Sequence, residues 1–232
     1  MTDYVLVHGA WHGSWCWARV RPLLTSKMHR VFTPTLTGLG ERSHLLSPQI
    51  NLDTHIADVT NLMIWEDLRE VVLVGHSYGG VIARHVADQM ADRIRSLVYL
   101  DAFVPDNGKS LLDYVPDNGE SVRKQAAADG DGWKVPAPPS WSFAVNAADA
   151  DWVDRQCTMH PLSTFEASAR ISGACDKIPS IGYVLARGFD GPFAQFYSAA
   201  EARGWWKAEF PCGHDIMLDM PTELTTLLLE RS

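Results

Sequence analysis

Cysteine, long apolar runs and basic clusters are scarce in this sequence, and each scarcity excludes a class of protein. The four cysteines are widely spaced and form no C-x-x-C pair, which favours buried or free thiols over disulfides or a metal site: Cys16, Cys157, Cys175 and Cys212. No apolar run approaches the roughly 18 residues of a membrane helix. A strand is predicted from Tyr4 onward, so we expect no signal peptide. These observations predict a cytoplasmic protein that needs no metal or organic cofactor.

Acidic residues outnumber basic ones, with 28 Asp and Glu against 20 Lys and Arg and a formal net charge of −8. This balance disfavours nucleic acid or an anionic membrane as a partner. The length of 232 residues fits one domain, 1–232, with a sizeable buried core. A homodimer is compatible with these properties, which leave the oligomeric state open.

Short apolar runs alternate with amphipathic stretches along the chain, which is typical of βαβ units and a parallel sheet. The runs are rich in Val, Leu and Ile without polar alternation, as in strands covered on both faces. Helices are predicted at Asp53–Glu66, Gly79–Met90 and Pro221–Glu230. Six strands are predicted: Tyr4–Val7, Arg30–Thr33, Val71–Val74, Ser96–Leu100, Ile181–Ala186 and Trp205–Phe210.

About eighty residues between Leu100 and Ile181 contain no clear parallel strand. Loops of this length in a compact domain are usually functional. We therefore expect a core of residues 1–101 and 178–232, and an inserted cap of about 102–177 over the carboxyl ends of the strands. A poorly ordered surface insertion is the alternative, but the segment is too apolar for a linker.

The pentapeptide around Ser77 predicts a nucleophile. A buried-type strand, Val71–Val74, precedes Gly75-His76-Ser77-Tyr78-Gly79, and a helix follows it. This strand–turn–helix context makes a G-x-S-x-G match informative. The general base is predicted to be His214, because it follows the last strand at the same carboxyl edge and comes after the serine in the chain.

Two aspartates compete for the carboxylate that would orient His214. Asp101 follows its strand directly within apolar surroundings, where a carboxylate needs a partner. Asp190 lies several residues past the next strand in a Gly-rich loop, where a solvated turn residue is expected. We favour Asp101 and keep Asp190 as the alternative acid.

Two backbone N–H groups are needed to stabilise an oxyanion next to the nucleophile. Tyr78, the residue after the serine, is predicted to provide one. The Gly-rich loop after the first strand is predicted to provide the other, from Ala10 or, as second choice, from Trp11.

Three segments together carry a resemblance: Val5–Trp17, Gly75–Gly80 and Tyr99–Pro105. They resemble the esterase and hydroxynitrile lyase branch of the α/β-hydrolase superfamily, which includes bacterial carboxylesterases, some of them pyrethroid-hydrolysing, and plant methyl salicylate-type methyl esterases. The resemblance implies an α/β-hydrolase fold with a six-stranded parallel sheet in the order 2-1-3-4-5-6, helices on both faces and a helical cap. Plant members of this branch carry the acid after the strand Ile181–Ala186, whereas some other α/β hydrolases carry it where Asp101 stands.

The resemblance implies ester hydrolysis through a Ser-His-Asp triad and an acyl-enzyme. Cyanohydrin-cleaving lyases of the branch have a threonine and a lysine where this chain has Gly9 and Asp215, which disfavours the lyase alternative. A non-catalytic small-molecule receptor is a third hypothesis, disfavoured by the intact set of Ser, His and Asp. The predicted partner is a hydrophobic or aryl ester, and the predicted pocket residues are aromatic or apolar: Trp11, Trp133, Trp141, Phe143, Trp152, Met159, Leu162 and Phe165.

Overall fold

A parallel sheet of six strands forms the centre of the molecule. The computed structural model describes residues 1–231. The sheet strands are β1 (Asp3–Val7), β2 (Arg30–Phe32), β3 (Val71–His76), β4 (Ile94–Leu100), β7 (Ser180–Ala186) and β8 (Trp206–Phe210). Their order is β2-β1-β3-β4-β7-β8, with every neighbouring pair parallel. The predicted fold class and strand order are confirmed.

Nine α-helices accompany the strands in the part of the chain that the structure describes. They are α1 (Val20–Ser26), α2 (Leu52–Trp65), α3 (Gly79–Gln89), α4 (Glu120–Asp129), α5 (Ala150–Gln156), α6 (Leu162–Glu166), α7 (Ala194–Ala202), α8 (Ile216–Asp219) and α9 (Pro221–Glu230). Asn51 caps α2 by accepting from the Thr54 N–H, which accounts for the start of that helix just after residue 51. The three predicted helices begin and end within one residue of α2, α3 and α9.

Both faces of the sheet are buried, which explains why its strands lack polar alternation. Leu73 of β3 lies in one hydrophobic cluster and Val72 and Val74 lie in the other, on the opposite face. Each of these side chains is completely buried. Burial of an aliphatic side chain of this size contributes about 1.5–3 kcal/mol to folding.

The strand register brings the carboxyl ends of the strands to one edge of the sheet. His76, the last residue of β3, pairs with Leu100, the last residue of β4. Leu100 in turn pairs with Val184 on β7, and Ala186 pairs with Phe210 at the end of β8. The residues that follow these strands therefore meet at a single edge.

The segment between β4 and β7 contains helices and a short strand pair. It contains α4, α5, α6 and a short antiparallel pair, β5 (Lys134–Val135) with β6 (His160–Pro161). The backbone N–H of Thr158 donates to the carbonyl of Trp11, on the loop after β1, at 2.9 Å. The insertion therefore contacts the core at the edge where the strands end.

Within residues 1–231, no helix combines the length and apolar character that crossing a membrane requires.

Candidate active site

Ser77 occupies a sharp turn between β3 and α3. Its φ of +53° lies in the left-handed region, a conformation that costs a non-glycine residue roughly 1–3 kcal/mol. The turn is held by the Gly80 N–H, which donates to the Ser77 carbonyl at 3.0 Å, and by the Phe103 N–H, which donates to the same carbonyl at 3.1 Å. A Cβ on Gly75 would lie 2.5 Å from the Gly79 carbonyl oxygen, so this turn requires glycine at position 75.

His214 lies on the loop after β8 and contacts Asp101 at the end of β4. Its Nδ1 is 2.6 Å from Oδ2 of Asp101. The other carboxylate oxygen of Asp101 accepts from the Ala186 N–H at 3.1 Å. Both side chains are almost completely buried. Because Nδ1 faces a carboxylate, it carries the proton, which leaves Nε2 of His214 able to accept one.

The structure places Asp190, the alternative acid, away from this pair. Asp190 is exposed to solvent on the loop after β7. Asp101 is completely buried, has a left-handed φ of +42°, and its carboxylate contacts His214. The geometry therefore favours Asp101 as the partner of His214.

The side chain of His76 contacts both the backbone and the ring of His214. Its Nε2 donates to the carbonyl of His214 at 3.1 Å, and the two rings are 4.5 Å apart. Burial, together with the neighbouring His214, holds the pKa of His76 well below its usual value, so the ring is neutral. A neutral ring next to His214 avoids the repulsion that a second imidazolium would cause during proton transfer.

The loop after β1 passes very close to Ser77. A Cβ on Gly9 would lie 2.9 Å from Cβ of Ser77, so only glycine allows this approach. Ala10 and Tyr78 both line the cavity at Ser77. The N–H of Trp11 is already engaged, because it donates to Nδ1 of His160 at 3.3 Å. This geometry favours Ala10 over Trp11 as the first-loop donor.

Two further histidines anchor the residues that would form the oxyanion hole. His8 accepts from the Leu36 N–H at Nε2 and therefore donates from Nδ1 to the Gly9 carbonyl, at 2.8 Å. His55 Nδ1 lies 2.9 Å from the Tyr78 hydroxyl, while its Nε2 lies 2.9 Å from the Thr37 carbonyl. Burial lowers the pKa of His8 to about 3 and that of His55 to about 4, so both rings are neutral. Sequence reasoning missed both histidines because their partners are backbone or distant groups.

Asp215, directly after His214, forms a second buried pair with His12. Nε2 of His12 is 3.1 Å from Oδ2 of Asp215. Although burial alone would raise the pKa of Asp215, the charge and hydrogen bond of His12 hold it far below its usual value. The negative charge at position 215 is thus directed at His12 rather than toward the cavity.

A cavity of about 160 Å³ opens at Ser77 and His214. Apart from these two, its lining is hydrophobic or aromatic: Ala10, Trp11, Tyr78, Phe103, Leu111, Leu112, Val115, Val122, Phe143, Phe165, Phe189, Pro192 and Phe193. The ring of Phe193 stacks on His214, with centroids 4.9 Å apart and an interplanar angle of 10°. Ser77 and His214 therefore meet in almost entirely apolar surroundings.

Three of the eight predicted pocket residues line this cavity, namely Trp11, Phe143 and Phe165. The other five lie elsewhere: Trp133 and Met159 are half-buried, Trp141 is 77% exposed, Leu162 packs in the core, and Trp152 lies edge-on to Trp15. All five lie in the insertion, but none of them lines the cavity at Ser77. Sequence reasoning also missed Phe189 and Phe193, which follow β7.

Among the residues that the structure describes, no group of three or more His, Cys, Asp and Glu side chains is arranged to hold a metal ion. All four cysteines are free thiols, and Cys16 and Cys175 are buried.

The sheet order, the turn at Ser77 and the His–Asp pair at the carboxyl edge define an α/β hydrolase. The sequence model of the alpha/beta hydrolase family matches residues 4–226, so the chain belongs to this family.

Individual relatives indicate which members of the family this chain resembles. The chain is 43% identical to a carbendazim hydrolyzing esterase of Nocardioides sp. (strain SG-4G), over 98% of each chain. It is 37% identical to methylesterase 2 of Arabidopsis thaliana, over 46% of this chain and 41% of that protein. The solved structure of an extracellular alpha/beta-hydrolase from a Paenibacillus species superimposes with a TM-score of 0.87 at 22% identity, covering 100% of this chain and 99% of the other. The resemblance to the esterase branch is confirmed, and the enzyme class is that of a carboxylic ester hydrolase.

Proposed function

We propose that the chain is a serine carboxylesterase that hydrolyses a hydrophobic or aryl carboxylic ester through Ser77, His214 and Asp101. The observation that carries this proposal is the convergence of Ser77 and His214 on one apolar cavity, with His214 held by a buried carboxylate. Exposed Asp190 has no comparable position.

The proposed reaction has two steps. Nε2 of His214 accepts the hydroxyl proton of Ser77 while the serine oxygen attacks the ester carbonyl. The N–H groups of Ala10 and Tyr78 stabilise the oxyanion, and His214 then protonates the leaving alcohol. Water attacks the acyl-enzyme with the same base and releases the acid. Asp101 keeps the imidazole oriented and stabilises its charged form, and the chemistry calls for no cofactor.

The cavity supports a compact apolar substrate. Its lining offers the rings of Phe143, Phe165 and Phe189 to a ligand, and its only charged or strongly polar side chains within the described residues are those of the reacting pair. The Nocardioides esterase, which matches 98% of this chain, is named for hydrolysis of carbendazim, and this makes that compound a rational first candidate to assay.

Labelling with a fluorophosphonate tests the proposal directly, since the probe reacts covalently with an activated serine. We expect wild-type protein to be labelled at Ser77 and to hydrolyse p-nitrophenyl butyrate. Ser77→Ala should lose labelling and lower kcat by about 10⁴-fold or more. Ser14→Ala, a hydroxyl on the loop after β1 whose partner is Thr33, serves as the control and should keep both activities. Wild-type turnover by Ser77→Ala would refute the proposal, and cyanohydrin cleavage without ester hydrolysis would replace it with the lyase.

A further inference from the structure

We propose that His12 and His160 are positioning residues that hold the peptide unit between Ala10 and Trp11 at both ends and thereby fix the oxyanion loop. The proposal rests on the proposed esterase function, because it concerns the loop that would supply the Ala10 N–H. Neither histidine lines the cavity, and both are completely buried or nearly so.

The two contacts belong to one peptide group. Nδ1 of His12 is 2.7 Å from the carbonyl oxygen of Ala10. The N–H of Trp11, on the other side of the same peptide bond, donates to Nδ1 of His160 at 3.3 Å. Rotation of this peptide would therefore break both hydrogen bonds at once and leave buried polar groups without partners.

His12 acts as a donor because both of its ring nitrogens face acceptors. Nδ1 faces the Ala10 carbonyl and Nε2 faces Oδ2 of Asp215, so the ring carries a proton on each nitrogen. Burial alone would lower the pKa of His12, but the charge of Asp215 and the hydrogen bonds to Asp215 and to the Ala10 carbonyl together outweigh it and raise that pKa. Since Asp215 adjoins His214, this ion pair also connects the oxyanion loop to the loop of the proposed base.

His160 acts as an acceptor because its other nitrogen is committed to donation. The hydroxyl of Thr164 donates to the carbonyl of Pro161 at 2.8 Å, so its oxygen is available to accept from Nε2–H of His160, also at 2.8 Å. Nδ1 of His160 is therefore unprotonated and accepts the Trp11 N–H. Burial keeps the pKa of His160 well below its usual value, which is consistent with a neutral ring.

The peptide needs such fixation because of the conformation of Trp11. Its φ of +63° is rare for a bulky side chain, so the local chain does not favour this arrangement by itself. The Ala10 N–H belongs to the preceding peptide, whose Gly9 carbonyl accepts from His8. The two peptides meet at the Cα of Ala10, so fixing the second peptide limits the rotation of the first. Protonated His12 thus holds the loop from the core side, and neutral His160 holds it from the insertion side.

Four variants and a matched control test this inference. His12→Leu and His160→Leu remove the two contacts, and each should lower kcat by about 10²-fold with KM nearly unchanged, because the misplaced donor acts mainly in the transition state. His160→Asn retains an acceptor near the position of Nδ1, and His12→Asn retains a donor there. Each Asn variant should turn over about tenfold faster than its Leu counterpart.

His85→Leu is the control, since His85 is also buried and also accepts a backbone N–H, from Arg170, but lies on α3 away from the cavity. It should match the Leu variants in thermal destabilisation while retaining wild-type kcat. A second readout is the inhibition constant of a trifluoromethyl ketone, whose serine adduct carries an oxyanion. This constant should rise in proportion to the loss of kcat in the His12 and His160 variants.

The possible outcomes separate the two proposals. Wild-type protein without esterase activity would remove the proposed function itself. Active wild-type protein, with His12→Leu and His160→Leu that keep wild-type kcat and ketone inhibition, would overturn only the positioning role. Equal losses in Leu and Asn variants, accompanied by the same loss in His85→Leu, would reduce the effect to general destabilisation and would also overturn it.

Discussion

Oδ2 of Asp101 lies 2.6 Å from Nδ1 of His214, although 113 positions separate the two residues in the chain. The contact crosses β7, whose last residue, Ala186, donates its N–H to the other oxygen of the same carboxylate. The residue after β4, the last residue of β7 and the loop after β8 are thus joined through one side chain. The carboxylate is fixed by backbone as well as by His214, which suits a group that must hold an imidazole in one orientation.

Asp101→Asn should lower kcat for p-nitrophenyl butyrate by about 10³–10⁴-fold, because an amide cannot stabilise the imidazolium and favours the wrong tautomer. Asp190→Asn, on the exposed loop after β7, should change kcat by less than about twofold. Steady-state kinetics of the two variants side by side measure the difference. The reverse ranking would assign the acid to Asp190.

Gly9→Ala should reduce activity while the fold persists. The added Cβ would meet Cβ of Ser77 at 2.9 Å and Nδ1 of His76 at 3.0 Å, so the loop or the serine must shift. A displacement of this kind lowers kcat by about 10²-fold when it misaligns reacting groups. Kinetics with circular dichroism at the same temperature distinguish this result from unfolding. Full activity in a folded variant would show that the close approach at Ser77 is dispensable.

Phe189→Ala should widen the range of acyl groups that the enzyme accepts. Phe189 lines the cavity, and its ring is 4.7 Å from that of His214, so truncation adds space beside the reacting pair. We expect the ratio of kcat/KM for a p-nitrophenyl benzoate to that for the acetate to rise by about tenfold. Trp141→Ala, which truncates a ring that is 77% exposed, should leave the ratio unchanged. A larger shift in Trp141→Ala would place substrate outside the described cavity.

The free energy of unfolding should fall as the pH is lowered from 7 to 5. The pKa of several buried histidines lies below the usual 6.5 because burial disfavours their charged form, notably to about 3 for His8 and about 4 for His55. The unfolded chain therefore binds more protons than the folded one below pH 6.5, and stability decreases until the pH reaches those folded-state values. Each such histidine contributes a slope of about 1.4 kcal/mol per pH unit.

His12 acts in the opposite sense, but only above pH 6.5: its raised pKa adds stability as the pH falls towards 6.5, and this contribution is constant at lower pH. More rings have lowered than raised pKa values, because His76, His85 and His160 are also shifted down. Urea unfolding at pH 7, 6 and 5 measures the slope, and His85→Gln should make it shallower. A stability that is constant over this interval would contradict the proposed neutral state of the buried rings.

The sheet could be predicted from the sequence because strands that are covered on both faces are apolar at consecutive positions. Val72, Leu73 and Val74 of β3 show this pattern. Strand ends then indicated Ser77, Asp101 and His214 as neighbours, because parallel strands finish at one edge. The contact between Asp101 and His214 was predictable on that basis, with Asp190 as the weaker choice.

The pocket was predicted less well because the insertion has no regular pattern to orient its side chains. Trp152 was assigned to the cavity, but it packs against Trp15 with the Arg19 guanidinium over its ring. Phe193 was overlooked since it follows β7, outside the insertion, although it stacks on His214. Hydrogen bonds to backbone groups such as the Ala10 carbonyl cannot be predicted from the sequence, because every residue has the same backbone.

The bonds of Trp11 bear on any attempt to exchange the insertion between relatives. The N–H, the carbonyl and the indole Nε1 of this one residue are bonded to His160, Thr158 and Val135, all of which lie in the insertion. A transplanted insertion that lacked equivalent acceptors and a donor would leave the recipient's loop after β1 unsupported. Chimeras designed to exchange substrate preference should therefore take the loop of residues 8–15 and the insertion from the same parent protein.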